Sequence, residues 1–310
     1  MMFPPFAAGW ELAIQLARLL EYLGIAGLAG GTVCLLFYRD ERRRTVVALS
    51  AYIGLCGLLG FNGALFAFLF QVGMTSGSGI GGMFDLAMAR MLLGFESGTA
   101  ALLRLGGFLA ATIACAAFAI RLGDRPPPQS RFRLLGAIHA LALLLVLWSF
   151  TITGHIAVLG TVERIAIVLH LLAAGVWVGA FLPLLYLCLG GERGEGGGLA
   201  RTMWDFGSLA GYCLALLFAA GLILALGLFH TPDELIGTPY GLTLLIKLAL
   251  VGSLLLVAAG NRFVLVPRML AGAGPAALAR AIRIEILIAA AILVVTSYLA
   301  TRVGPPAMPM

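Results

Sequence analysis

Residues 164–189 read RIAIVLHLLAAGVWVGAFLPLLYLCL. After Arg164 the stretch holds no acidic or basic side chain except His170. A helix crosses a bilayer with about 20 predominantly apolar residues, and this stretch is longer than that. Seven similar runs flank it, at about 12–37, 46–70, 86–120, 134–153, 206–229, 240–260 and 281–301. The chain therefore reads as an all-α polytopic membrane protein with eight transmembrane helices, a single membrane domain over 1–310. Composition agrees. Of 310 residues, 61% are hydrophobic and 11% charged, whereas soluble domains carry about 25% charged residues. So few charges cannot cover a water-facing surface. No room is left for an ATP-binding domain, and no GxxxxGK[ST] phosphate loop occurs. Any transport would be facilitated, or driven by ions or by membrane potential.

Several boundaries follow from local chemistry. The 86–120 run is too long for one simple span, so Leu86 to Leu93 is expected to form a short interfacial helix. QVGMTSGSGIGG at 71–82 reads as a flexible Gly/Ser loop. PPPQ at 126–129 breaks the chain between the third and fourth spans. The opening, MMFPPFAAGWELAIQLARLL, lacks a basic segment before its apolar run, so it does not read as a signal peptide and the first span is expected to be retained. The five cysteines form no CxxC pair and lie in or beside apolar runs, the pattern of small buried thiols.

Charge placement predicts orientation. Arg39, Arg42, Arg43 and Arg44; Arg121, Arg125, Arg131 and Arg133; Arg193 and Arg201; and Arg262, Arg268, Arg280 and Arg283 account for fourteen of the 20 Lys and Arg. They occupy four alternate inter-span segments. The positive-inside rule puts those segments in the cytoplasm, so both termini face outward, to the periplasm of a bacterium. The net charge of +6 thus has a membrane reason, and no nucleic-acid partner is expected.

The two halves resemble each other. EYLGIAGLAG at 21–30 and HLLAAGVWVG at 170–179 each set a polar residue nine positions before a Gly. GTAALLR at 98–104 and GLTLLIK at 241–247 each set a cation six positions after a Gly. Two four-span repeats, about 12–153 and 164–301, would be parallel, with an axis along the membrane normal.

Ionisable groups inside spans are costly and usually face the bundle interior or a wet cavity. Glu21, Arg104, His139, His170 and Lys247 are such groups. Arg104 and Lys247 read either as structural cations, bonded to Glu21, Glu96 or helix-end carbonyls, or as an electrostatic element beside a permeation path. His155, His170 and His230 lie in the outer half, and imidazole suits copper, zinc, iron and nickel. They are the candidate metal ligands. His155 and His170 flank one short loop, whereas His139 lacks an evident partner and reads as structural. Trp177, seven residues after His170, lies on the same helical face and either walls a path or packs. Met74, Met83, Met88 and Met91 surround the second outer loop, and Met308 and Met310 end the tail. Thioethers select Cu(I), so Met83 and Met88 are candidates for soft metal capture, with core filling the plainer reading.

The segments TGHIA at 153–157, HLLAAGVWVGAFLPLL at 170–185, GTPYGLTLLIKLALV at 237–251, NRFVLVPRM at 261–269, RAIRIEILIAAAILVVTSYLA from 280 and GFESGTAALLRLGGFLA at 94–110 resemble the CopD/PcoD family of bacterial copper-resistance membrane proteins. The resemblance implies an eight-span inner-membrane protein that moves copper from periplasm to cytoplasm, alone or with a periplasmic copper-binding partner. It adds Asn261, Arg262 and Glu285 to His155, His170, Trp177 and Lys247 as matching positions. The family often has a His where Glu21 stands. The expected ligand is a copper ion, with no organic cofactor. Two other readings stay open: a copper-binding membrane sensor or scaffold, and a haem-carrying electron-transfer protein using His155 and His170 as axial ligands. No GxSxG or HExxH motif occurs, so no enzyme is expected.

Overall fold

A computed structural model describes residues 5–38, 43–123, 127–190 and 198–305. Arg39, Arg42, Arg125, Arg193, Met308 and Met310 of the sequence reading lie outside them. The described residues form helices joined by short turns, without strands. In chain order these are α1 (Pro5–Phe37), α2 (Arg43–Ser76), α3 (Leu86–Leu93), α4 (Glu96–Ile120), α5 (Gln129–Trp148), α6 (Thr161–Gly179), α7 (Phe181–Gly190), α8 (Gly198–Leu228), α9 (Asp233–Gly237), α10 (Pro239–Gly260), α11 (Val266–Leu270) and α12 (Ala276–Thr301). Among the described residues, seven helical stretches are long and apolar enough to cross a membrane: Gly9–Phe37, Arg43–Ser76, Glu96–Ile120, Gln129–Thr151, Thr161–Gly190, Gly198–Leu228 and Pro239–Leu270. The eighth expected span corresponds to α12, which has 26 residues and carries Arg280, Arg283 and Glu285 in its first half.

The boundaries have chemical causes. Asp85 caps α3, its Oδ1 accepting from the Met88 amide at 3.0 Å. The short helix expected at Leu86 to Leu93 is thus separate from the span that follows. The expected loop at 71–82 is more ordered than its Gly/Ser content suggests. Helix α2 continues to Ser76, and a 3-10 turn covers Gly79–Phe84. Gly77 and Gly79, at φ of 68° and 64°, make the turn between them. Pro128, extended at φ −63° and ψ 149°, starts α5. Arg43 donates to the carbonyls of Leu122 and Gly123, just past the end of α4.

Two prolines reshape the second half. Pro183 has no amide hydrogen to offer the carbonyl four residues back, that of Gly179. Helix α6 ends there, and the Tyr52 hydroxyl donates to the Gly179 oxygen instead, at 2.9 Å. Pro267 likewise cannot serve the carbonyl of Phe263. A π-helical turn, Asn261–Leu265, sits just before it, and the Val266 amide bonds back to Asn261.

Helix α1 is the centre of the bundle, packed against α2, α5, α6 and α12. At its crossing with α6 the backbones touch. A Cβ on Gly179 would strike the carbonyl of Ala26, and one on Gly30 would strike the Gly179 backbone. Small residues at such crossings let van der Waals packing hold helices together in lipid. The five cysteines are free and buried, as expected. We expect Gly179→Val to lower stability by about 3 kcal/mol and to drop the melting temperature in detergent. An unchanged melting curve would mean that the crossing is not tight.

Candidate metal and charge sites in the bundle

The most enclosed charges form one knot. Glu21 is fully buried. Its carboxylate takes Arg18 at 2.6 Å and Arg104 at 3.5 Å. Arg104 also donates to Ser149 Oγ at 2.8 Å and reaches Thr153 at 3.5 Å. Phe150 lies beneath both guanidinium groups, 4.4 Å from Arg104 and 5.1 Å from Arg18, and stacks with Tyr22. Cation–π contact and charge-assisted bonds offset part of the desolvation cost. Of the partners weighed for Arg104, Glu21 is the one used. The sequence reading missed Arg18, although its spacing of three from Glu21 places both on one helical face. Phe150, Ser149 and Thr153 carried no signal, because they come from the irregular turn after α5.

The histidines occupy different environments. His139, 1% exposed, has partners after all. Its Nε2 faces the Ala111 carbonyl at 3.2 Å and its Nδ1 faces Thr32 Oγ1 at 2.7 Å. A carbonyl only accepts, so Nε2 carries the proton and Nδ1 accepts from the Thr32 hydroxyl. His155 is exposed, in a 3-10 turn from His155 to Val158, with its ring beside Gly304. Arg164 secures this turn by donating to the Ala157 and Leu159 carbonyls. Partial burial holds the His155 imidazole below its ordinary range, so the ring stays neutral and keeps a free lone pair. His230 is exposed after α8, and its amide donates to Glu234 at 2.8 Å.

His170 differs from the others. It sits within α6, part-buried, with its ring facing Gly221 of α8, where an added methyl group would meet it at ordinary van der Waals distance. Its ring lies near the Leu217 carbonyl of α8, and its buried Nδ1 makes no well-formed hydrogen bond. Lys247 of α10 is near enough for its charge to act on the ring. Among the described residues, no three or more His, Cys, Asp or Glu gather as a metal-binding group. His155, His170 and His230 therefore do not make a common cluster. The reason is depth: His170 is the tenth residue of α6, about 13 Å along the helix, whereas the other two sit at helix ends.

The remaining candidates spread over the bundle. Trp177 is buried in the core, edge-on to Phe181 at 5.9 Å. Asn261 and Glu285 face one another, 8% and 4% exposed, beside the π turn. The Asn261 amide is buried toward the Glu285 carboxyl, with no well-formed hydrogen bond at either end. Arg262 clamps α10 to α8, donating to the Trp204 carbonyl at 2.6 Å and lying 3.8 Å over the Trp204 ring. Met83 lies beside Gly73 next to Trp10, and Met88 is part-buried on α3. Removing one partner of a buried ion pair costs about 3–5 kcal/mol. Glu21→Gln is therefore expected to destabilise the protein by that order, and Glu21→Leu with Arg104→Met to recover part of it. Equal stability of Glu21→Gln and wild type in a detergent melt would contradict the ion-pair assignment.

Residues 9–165 match the family described as copper resistance protein D-like, N-terminal domain, and residues 200–299 match copper resistance protein D. The chain is also similar to the inner membrane protein YebZ of Escherichia coli (strain K12), 29% identical over 177 residues. That match takes in 56% of this chain, and the chain spans 60% of the relative's length. No solved structure matches. The N-terminal match alone covers half of the chain, and the two matches follow one another in order: the protein belongs to the copper resistance protein D family and is a membrane protein of copper homeostasis.

Proposed function

We propose that the protein lets copper ions pass inward across a bacterial inner membrane without ATP, with His155 as the point of capture and His170 as the stop within the membrane. The observation that carries this reading is the state of His170. Most buried polar atoms have well-made hydrogen bonds, and an imidazole held inside the bundle with a weakly satisfied nitrogen is available to a ligand. Imidazole suits copper among first-row metals. Family membership selects copper from that set. An inside-negative potential favours entry by about 2.3 kcal/mol per charge per 100 mV. A periplasmic copper-binding protein is the partner that would load His155, and the inner-membrane relative supports the location.

The orientation belongs to the same proposal. Arg302 pairs with Glu11 at 2.9 Å, which holds the end of α12 beside the start of α1. Both ends of the bundle then share one face, and an even number of crossings follows. We count α12 as the eighth. The arginine-bearing segments lie at the other face, which the positive-inside rule assigns to the cytoplasm.

The twofold relation of the halves is also part of this reading. Gly30 and Gly179 occupy matching places in the two repeats and touch each other, as residues on a pseudo-twofold axis do. Gly98 and Gly241 also match, and each lies against the short helix before it, α3 or α9.

Copper uptake into proteoliposomes tests the path. His170→Ala is expected to lower it at least about tenfold, the scale of losing a metal-site contact. Uptake equal to wild type would remove His170 from the path. Capture at His155 makes a separate prediction. A ring whose proton affinity is lowered loses less metal to protons, so binding at this face should persist below pH ~6.5, the ordinary histidine value. A binding midpoint at or above that pH, measured by titrating copper onto His170→Ala, would contradict the assignment.

A further inference from the structure

Among the described residues, Arg104 and Lys247 are cations within the bundle, and of the two Arg104 has a counter-charge. Arg104 is paired with Glu21. Lys247 forms no ion pair among the described residues. Glu163, two turns before His170 on α6, lies against Gly160 and Gly227 at the helix end. Lys247 is enclosed on α10, beside a stretch where α10 and α8 do not pack closely. Helices α2 and α4 pack closely in the first half, whereas α8 and α10 are not packed along their length. Contacts join the two helices at the ends of this gap: Phe229 on Tyr240, 5.7 Å between rings, and the Arg262 clamp on Trp204. Between them, His170 and Lys247 enter from α6 and α10 at nearly one depth, about 13 and 12 Å from the helix starts.

We propose that this gap holds a small monovalent anion, of the chloride class, together with copper. The inference rests on the reading of His170 as a copper ligand. The His170 Nδ1 bonds the ion. The Lys247 ammonium holds the halide, which bonds copper as a second ligand. A copper ion and a lysine cation would otherwise repel each other in a low-dielectric site. A shared anion turns the lysine from a barrier into part of the site. In the first half Glu21 occupies the corresponding place, so that half needs no added anion.

Two measurements test this. The first uses copper-free protein in detergent and follows the line width of chloride-35. Wild type is expected to broaden the line by exchange at a saturable site, Lys247→Met to lose that broadening, and Lys247→Arg to keep it. The second measures copper uptake in chloride and in gluconate at equal ionic strength. Uptake is expected to fall about tenfold in gluconate, the worth of one charge-assisted contact, and Lys247→Met to show no difference between the two salts. Broadening that survives in Lys247→Met, or wild-type uptake indifferent to the anion, overturns the proposal. The outcomes separate from those of the copper reading: if His170→Ala transports normally, that reading fails, whereas uptake that needs His170 but not chloride removes only the anion.

Discussion

The backbone contact between α1 and α6 is the constraint on which the rest of the bundle depends. In lipid no hydrophobic force draws two apolar helices together, so close packing must do it. Gly30 and Gly179 supply that packing by having no side chains to keep the helices apart. The approach puts α1 at the centre, where α2, α5 and α12 pack around it. It also fixes where α6 must end. Pro183 releases the Gly179 carbonyl, and Tyr52 takes it up from α2. One crossing thereby joins three helices through packing and a hydrogen bond.

The costly polar groups divide unequally around that crossing. On one side Glu21, Arg18 and Arg104 satisfy each other over the Phe150 ring. That group holds α1, α4 and the turn after α5 together, with one Glu21 oxygen served by the 3.5 Å ion pair to Arg104 alone. On the other side His170 has a nitrogen without a well-formed hydrogen bond, and Lys247 forms no ion pair among the described residues. Ionisable groups inside spans are candidates for function, and these two lack the ion pair that Arg104 has. The proposed path therefore runs through the second half, with the first half as its scaffold.

Much of this was legible in the sequence because lipid imposes simple rules. Runs of apolar residues located the spans, PPPQ at 126–129 marked the break before α5, and the Gly30 and Gly179 spacing was read as a sign of a repeat, not of a crossing. Other features were not legible, and each for a physical reason. The loop expected at 71–82 is mostly helical, because α2 runs on to Ser76 with Gly73 packed against Trp10 and Met83, and a 3-10 turn follows. The two hydrogen bonds of His139 come from α1 and α4, both distant in sequence. Three histidines that share the outer half by residue count do not share a site, because depth along a helix separates them. The gap between α8 and α10 depends on tertiary packing that no periodicity encodes.

The central claim is that copper within the membrane is bound by the His170 imidazole. X-ray absorption on the copper-loaded protein, compared with His170→Ala, tests it most directly. The account predicts nitrogen ligation with the outer-shell scattering of an imidazole ring, diminished in the variant. A shell made of sulfur alone, unchanged by the substitution, would contradict it and move the site to the methionines.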